Sequence, residues 1–270
     1  MALHQVWLLP TITAFYSILT LLLSYVAAYA SYHLPSGWPL LSNIATRPPA
    51  TCIHATMNNH LSILVSLCMF VKYAELLSCL RSQCRAGGFW ERLANLNLII
   101  GFIAAFSFQL STNFPARHIW AVEHASSVVT DVAWTVYIFL HSFLSYFVRH
   151  PTKRQRTLLI IRISLAVSLF SLSCSALKAF MAADNLSDVK KDASTVAALS
   201  EWGAYYSLVF FLLTDSYEYR NMSLTPIKLI IPGSEQYEAA AASSGAYIRH
   251  RSESEFSSDF DGDYYAPQIR

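Results

Sequence analysis

Six stretches of the chain are long, apolar and nearly free of charge, and short polar or basic segments separate them. Val6 to Ala30 carries no charged residue. Ile53 to Leu77 is apolar in its middle, Leu61 to Val71, and polar at both ends. Ala94 to Ser111, Ile119 to Val148, Leu158 to Met181 and Val196 to Tyr217 complete the set. About 20 mostly apolar residues suffice for a helix to cross a bilayer. The pattern therefore predicts an all-α polytopic membrane protein, a six-helix transmembrane bundle over residues 1–231. The first run has no basic residue ahead of it and exceeds the apolar length of a secretory signal, about 7–15 residues. It is read as a retained helix.

Composition supports the bilayer as solvent. The 270 residues are 54% hydrophobic and only 13% charged, where soluble domains carry roughly 25% charged residues. The net charge of +2 gives no basic excess of the kind nucleic acid attracts. Membrane lipids are the first partners to expect.

Charge sets the orientation, because Lys and Arg accumulate in cytosolic loops. With both termini cytosolic, one cytosolic loop is Ser78 to Leu93, with Arg81, Arg85 and Arg92. The other is Arg149 to Thr157, with Arg149, Lys153, Arg154 and Arg156. The luminal side then holds only Arg47, Arg117, Lys190 and Lys191. Arg162 and Lys178 lie near the two ends of the fifth helix, where long side chains are expected to snorkel to the headgroups. Asn185-Leu186-Ser187 is a glycosylation sequon in a loop that this orientation makes luminal. A second match, Asn221-Met222-Ser223, falls on the cytosolic side.

Cys52 is the one cysteine near the luminal face, so no intrachain luminal disulfide is expected. Cys79 and Cys84 flank Arg81 beside the membrane, a setting that permits palmitoylation; two reduced thiols are the simpler reading. Residues 232–270 change in kind. They hold Glu235, Glu238, Glu253, Glu255, Asp259, Asp261 and Asp263 against three arginines. This segment is read as a disordered cytosolic tail, with Ser252 and Ser254 as candidate phosphorylation positions among its charges.

Ionisable residues at membrane depth are costly and are candidates for function. Asp131 lies about 12 residues into the fourth helix, roughly 18 Å at 1.5 Å per residue, close to the midplane. His124 and Glu123 precede it by seven and eight residues and share its helix face. Asn58, Asn59 and His60, in the luminal half of the second helix, are expected to face them. Interhelical hydrogen bonding explains such a cluster most simply. The sharper reading is a proton-handling or metal-assisted lipid hydrolase. The residues lack metal-ligand spacing, so no metal and no cofactor is expected. The chain has no GxSxG, HExxH, P-loop or Rossmann fingerprint, and no paired broken helices of a transporter. Lys72 and Glu75 read as an i, i+3 pair. Glu201 is expected to open the sixth helix, where the helix dipole favours an acid, beside an interfacial Trp202. Ala27, Ala28 and Ala30, and Ser171, Ser173 and Ser175, are candidates for close helix contacts.

The first luminal loop holds Pro39-Leu40-Leu41-Ser42 and the pair Pro48-Pro49. Asn113-Phe114 joins the third and fourth helices, His124 follows, and the sixth begins Glu201-Trp202-Gly203. With six spans, residues 6–231 resemble the damage-regulated autophagy modulator (DRAM) family. That family lies within a superfamily that includes GPI-lipid remodelling factors and plasma-membrane proteins supporting phosphoinositide kinase scaffolds. Two positions depart from the pattern. Ala50 stands where the family often has an acidic residue, and Val128 follows Ser126 and Ser127 where small residues are common. The resemblance implies a multi-pass endomembrane protein, lysosomal foremost, with Golgi and plasma membrane as alternatives, and no established enzymatic activity; the absence of a catalytic motif favours a non-enzymatic regulator. The resemblance also implies a link to autophagy and lysosome function; such a regulator is expected to meet protein partners through the luminal loops and cytosolic tail. The alternative is a lipid-handling protein, either a remodelling accessory or an intramembrane hydrolase using Asp131, His124 and His60.

Overall fold

The structure, a computed structural model, describes residues 5–32, 39–44, 46–82, 88–114, 116–148, 153–185 and 190–220. Every described element is helical: α1 (Leu8–Tyr32), α2 (Leu41–Ile44), α3 (Ala50–Ser82), α4 (Phe89–Asn113), α5 (Ala116–Val148), α6 (Lys153–Asn185) and α7 (Lys190–Tyr219). All but α2 are long and apolar enough to span a bilayer. Helices satisfy their own backbone groups, which a lipid solvent cannot do. The chain is thus an integral membrane protein with six spans.

The helices outrun the apolar stretches that announce them. α3 starts at Ala50 and ends at Ser82, and α4 starts at Phe89. Most of the expected loop Ser78 to Leu93 is therefore helix. α5 has a non-helical residue at Ile119 (φ −139°, ψ 70°), and its spanning part runs from Ala121 to Val148. Hydropathy marks only the segment inside lipid, whereas a helix continues into the headgroup layer while its own hydrogen bonds hold.

Each spanning helix packs on its neighbours in sequence, and α7 closes the ring on α1. Inside the ring, a core joins Ala14, Met69, Ala104, Trp134, Leu169 and Phe211, one from each span. Large apolar side chains face outward, Phe15 at 66% and Ile160 at 69% exposure. Water would penalise that arrangement; lipid tails do not. Gly101 and Gly203 leave no room for a side chain against the neighbouring helices. A Cβ on Gly101 would lie 2.7 Å from the Met69 sulfur and 3.0 Å from the Tyr137 ring, and one on Gly203 2.8 Å from a Leu172 methyl. Of the small residues singled out from sequence, Ala28 is fully buried against Ile44 and Ala50, while Ala30 and Ser171 are exposed.

Candidate functional site

Two polar constellations occupy opposite ends of the bundle. The first anchors the segment after α1. Pro39 and Leu41 precede and open α2, a helix of one turn whose first N–H groups lack intrahelical partners. The Leu41 amide donates to Glu201 Oε2 at 2.8 Å, and Trp202 Nε1 donates to the Pro39 carbonyl at 3.0 Å. The Trp202 ring packs with Tyr25 and Leu41 around Ala28, Ile44 and Ala50. Adjacent residues of α7 thus clamp the loop that carries Pro39 and Ser42. The Ser42 side chain lies outside the described residues. The Pro48–Pro49 bond beyond it is cis.

Glu201 does not open its helix as expected. α7 begins at Lys190, and the acid caps a different helix, α2. The polar run from Lys190 to Thr195 ahead of the apolar stretch concealed the true start.

The polar residues singled out from sequence are distributed over several helix pairs. Asn113 Nδ2 donates to Asn59 Oδ1 at 2.7 Å, and Asn59 Nδ2 returns a bond to Asn113 Oδ1 at 3.3 Å. His60 Nδ1 lies 3.3 Å from the Tyr16 hydroxyl of α1. Glu123 and His124 meet each other at 2.5 Å. Asp131 is half-buried and faces Ser173 of α6. A cavity of about 50 Å³ inside the ring is lined by Leu61, Phe108, Trp134 and Leu212 among others, and its lining includes none of Asp131, His124 or His60. Phe114 ends α4, its amide bonded to the Leu110 carbonyl. Asn185 is the last residue of α6, with its side chain outside the described residues. Cys79 is partly buried. Cys84, Ser252, Ser254, the Asn221 sequon and the whole 232–270 tail lie outside the described residues.

The second constellation is a buried ion network across four helices. Arg162 of α6, 1% exposed, lies 2.6 Å from Asp215 Oδ1 and 2.8 Å from Glu218 Oε2 of α7. Its Nε donates to Thr214 Oγ1 at 2.8 Å. Lys72 of α3 lies 2.9 Å from the same Glu218 oxygen and 3.0 Å from Glu75. His141 of α5 places Nε2 3.1 Å from Asp215 Oδ1 and Nδ1 3.4 Å from the Tyr137 hydroxyl. The Arg162 guanidinium and the His141 ring both approach Phe211.

This overturns the snorkelling expected of Arg162. Two carboxylates one turn apart on α7 offer the guanidinium partners inside the bundle, and a paired buried charge needs no path to the headgroups. Lys72 and Glu75 pair as expected, within a larger network. His141, Asp215 and Glu218 could also be read as a metal-ligand set, since their donor atoms lie within 4.8 Å of one another. The guanidinium bridges the two carboxylates and Lys72 also reaches Glu218, so cations of the chain itself already pair with these acids. Sequence reasoning passed over His141, Asp215 and Glu218. The available signal was opposite charges near the same ends of different spans: Arg162 soon after α6 begins, Asp215 and Glu218 just before α7 ends.

A family model described as the Frag1/DRAM/Sfk1/Cwh43P N-terminal domain matches residues 5–222. The chain is 24% identical over 246 residues to "DNA damage-regulated autophagy modulator protein 2" of Bos taurus, covering 86% of this chain and 90% of that protein. It is 24% identical to "DNA damage-regulated autophagy modulator protein 1" of Homo sapiens over 80% of this chain and 91% of that protein. "Transmembrane protein 150A" of Mus musculus is 26% identical over 68% of this chain and 63% of its own length. No solved structure matches.

Proposed function

We propose, since the chain belongs to the Frag1/DRAM/Sfk1/Cwh43P family, that it is a non-enzymatic regulator of autophagy in the endomembrane system. The similarity to two autophagy modulators over nearly their whole lengths carries this reading. The proteins so named are called modulators, and of the polar residues most suggestive of catalysis His60 turns to α1 and Asp131 to α6, while Glu123 and His124 pair with each other on α5. The Glu201–Trp202 clamp supports a role for the first loop as a presented surface, because it holds backbone rather than leaving a cleft. Both termini are assigned to the cytosol from the basic loops, and the lysosomal membrane is the favoured location.

Autophagic flux in cells depleted of the chain, with its location followed against lysosomal, Golgi and plasma-membrane markers, tests the proposal. Depletion should lower flux, and re-expression of wild type or Asp131→Asn should restore it equally. Unchanged flux on depletion would refute the reading. Failure of a folded, correctly located Asp131→Asn protein would move the assignment to lipid chemistry.

A further inference from the structure

The ends of α6 and α7 that lie beside the buried ion network carry a second, outward arrangement of charge. Arg154 stands at the start of α6, and its guanidinium carbon lies 4.0 Å from the centroid of the Tyr217 ring. The same side chain donates from Nη2 to the Tyr217 carbonyl at 2.7 Å, which pins it to the C-terminal end of α7. Arg220 approaches the same ring at 5.9 Å. Tyr217 itself is 45% exposed. Among the described residues neither guanidinium is paired with a carboxylate; the acids nearby, Asp215 and Glu218, point inward to Arg162.

Position in the membrane decides what these cations meet. The helices apolar and long enough to span run Lys153–Lys178 and Thr195–Tyr219, so Arg154 and Arg220 stand at neighbouring ends of two spans, where basic side chains meet lipid headgroups. One and two turns deeper on the same helix faces lie Ile161, Leu213 and Phe210, all exposed, at spacings of four and seven residues that keep them in line with Arg154 and Tyr217. The α6–α7 surface thus offers a pair of cations above an apolar strip. A guanidinium has five donors in a fork that fits phosphate, and the hydrogen bond to Tyr217 uses one of the Arg154 set.

We infer that the α6–α7 surface binds an anionic phospholipid. Its phosphate lies between Arg154 and Arg220 against the Tyr217 ring, and its acyl chains run along Ile161, Leu213 and Phe210. A lipid is favoured over a soluble anion because the apolar strip continues directly from the cations into the bilayer. Stacking on the ring holds Arg154 in place before the lipid arrives, so little side-chain freedom is lost on binding.

The test uses the full-length chain in nanodiscs of phosphatidylcholine alone or with one-fifth phosphatidylserine, and reads the thermal unfolding midpoint. Wild type should unfold a few degrees higher in the anionic discs. Arg154→Gln with Arg220→Gln should lose most of that shift, and Arg154→Lys with Arg220→Lys should keep part of it. Arg92→Gln, an exposed arginine at the start of α4, should keep all of it. Equal midpoints for wild type in the two discs would overturn the inference. So would a full shift in the Gln pair, or a loss in Arg92→Gln as large as in the pair, which would mean diffuse surface charge. Inorganic phosphate added to phosphatidylcholine discs should leave the midpoint unchanged; a shift there would transfer the site to a soluble anion and refute the lipid.

Discussion

Arg162 and Glu218 meet at 2.8 Å inside the bundle, both buried, and Lys72 of α3 reaches the same carboxylate oxygen at 2.9 Å. One acid of α7 therefore ties α6 and α3 together. Such a network adds little net stability over an apolar core of the same shape, but removing one partner leaves a buried charge without compensation.

Arg162→Met is expected to destabilise the bundle by about 3–5 kcal/mol, because Asp215 loses its shortest ion pair. Combining it with Asp215→Asn should cost less than the sum of the two single changes. Unfolding measured for the two singles and the double gives the coupling. Additive effects would show that the two groups do not interact.

Glu201 and Trp202 hold the first loop through backbone atoms. Glu201→Ala should speed hydrogen exchange at the Leu41 amide and expose the loop to protease, with about 0.5–2 kcal/mol of local stability lost, as for other N-terminal helix caps. Glu201→Gln keeps a carbonyl acceptor and should retain most of the protection. Trp202→Phe keeps an aromatic ring, though a smaller one, and deletes the donor to Pro39; the lost hydrogen bond alone should cost about 1 kcal/mol. Exchange at Leu41 that is identical in all variants would count against the clamp.

Gly101 gives α4 its close approach to α3 and α5. Gly101→Ala should cost about 1–3 kcal/mol through overpacking, since the added carbon meets the Tyr137 ring as well as the mobile end of Met69. Gly203→Ala meets chiefly a Leu172 methyl and should cost less. Thermal midpoints of the two variants in the same detergent give the comparison, and a larger loss at Gly203 would contradict it.

The orientation assigned from the basic loops places Asn185 in the lumen and the C-terminus in the cytosol. An enzyme that removes N-glycans should raise the mobility of the wild type and leave Asn185→Gln unchanged. A C-terminal tag should be cut by protease added to sealed, cytosol-out vesicles. A protected tag would reverse the assignment.

The six spans and their order were legible because apolar length is a property of the chain alone: a run such as Val6 to Ala30 has one favourable solvent, whatever packs beside it. The residues of the loop clamp were legible only as names. Glu201 and Trp202 stood out, but their partners Pro39 and Leu41 lie about 160 positions away, and only the closure of α7 onto α1 brings them together. The polar residues of α3 and α5 were assigned to one cluster because they share a depth. Depth constrains position along a helix but not rotation about its axis, and rotation turned Asn59 to α4, His60 to α1 and Asp131 to α6.

The same limit explains the charges. Hydropathy counts Arg162, Asp215 and Glu218 as defects near the ends of otherwise apolar helices, and a lone arginine at such a place is expected to reach for water. Apolar length and the spacing of Lys and Arg suffice to put the chain in a membrane, cross it six times and set its basic residues mostly on one side. Which charges turn inward to one another and which, like Arg154, stay at the surface depends on how the helices pack. That choice follows from the interhelical distances that packing sets, because a buried charge is tolerated only where an opposite charge stands within hydrogen-bonding reach.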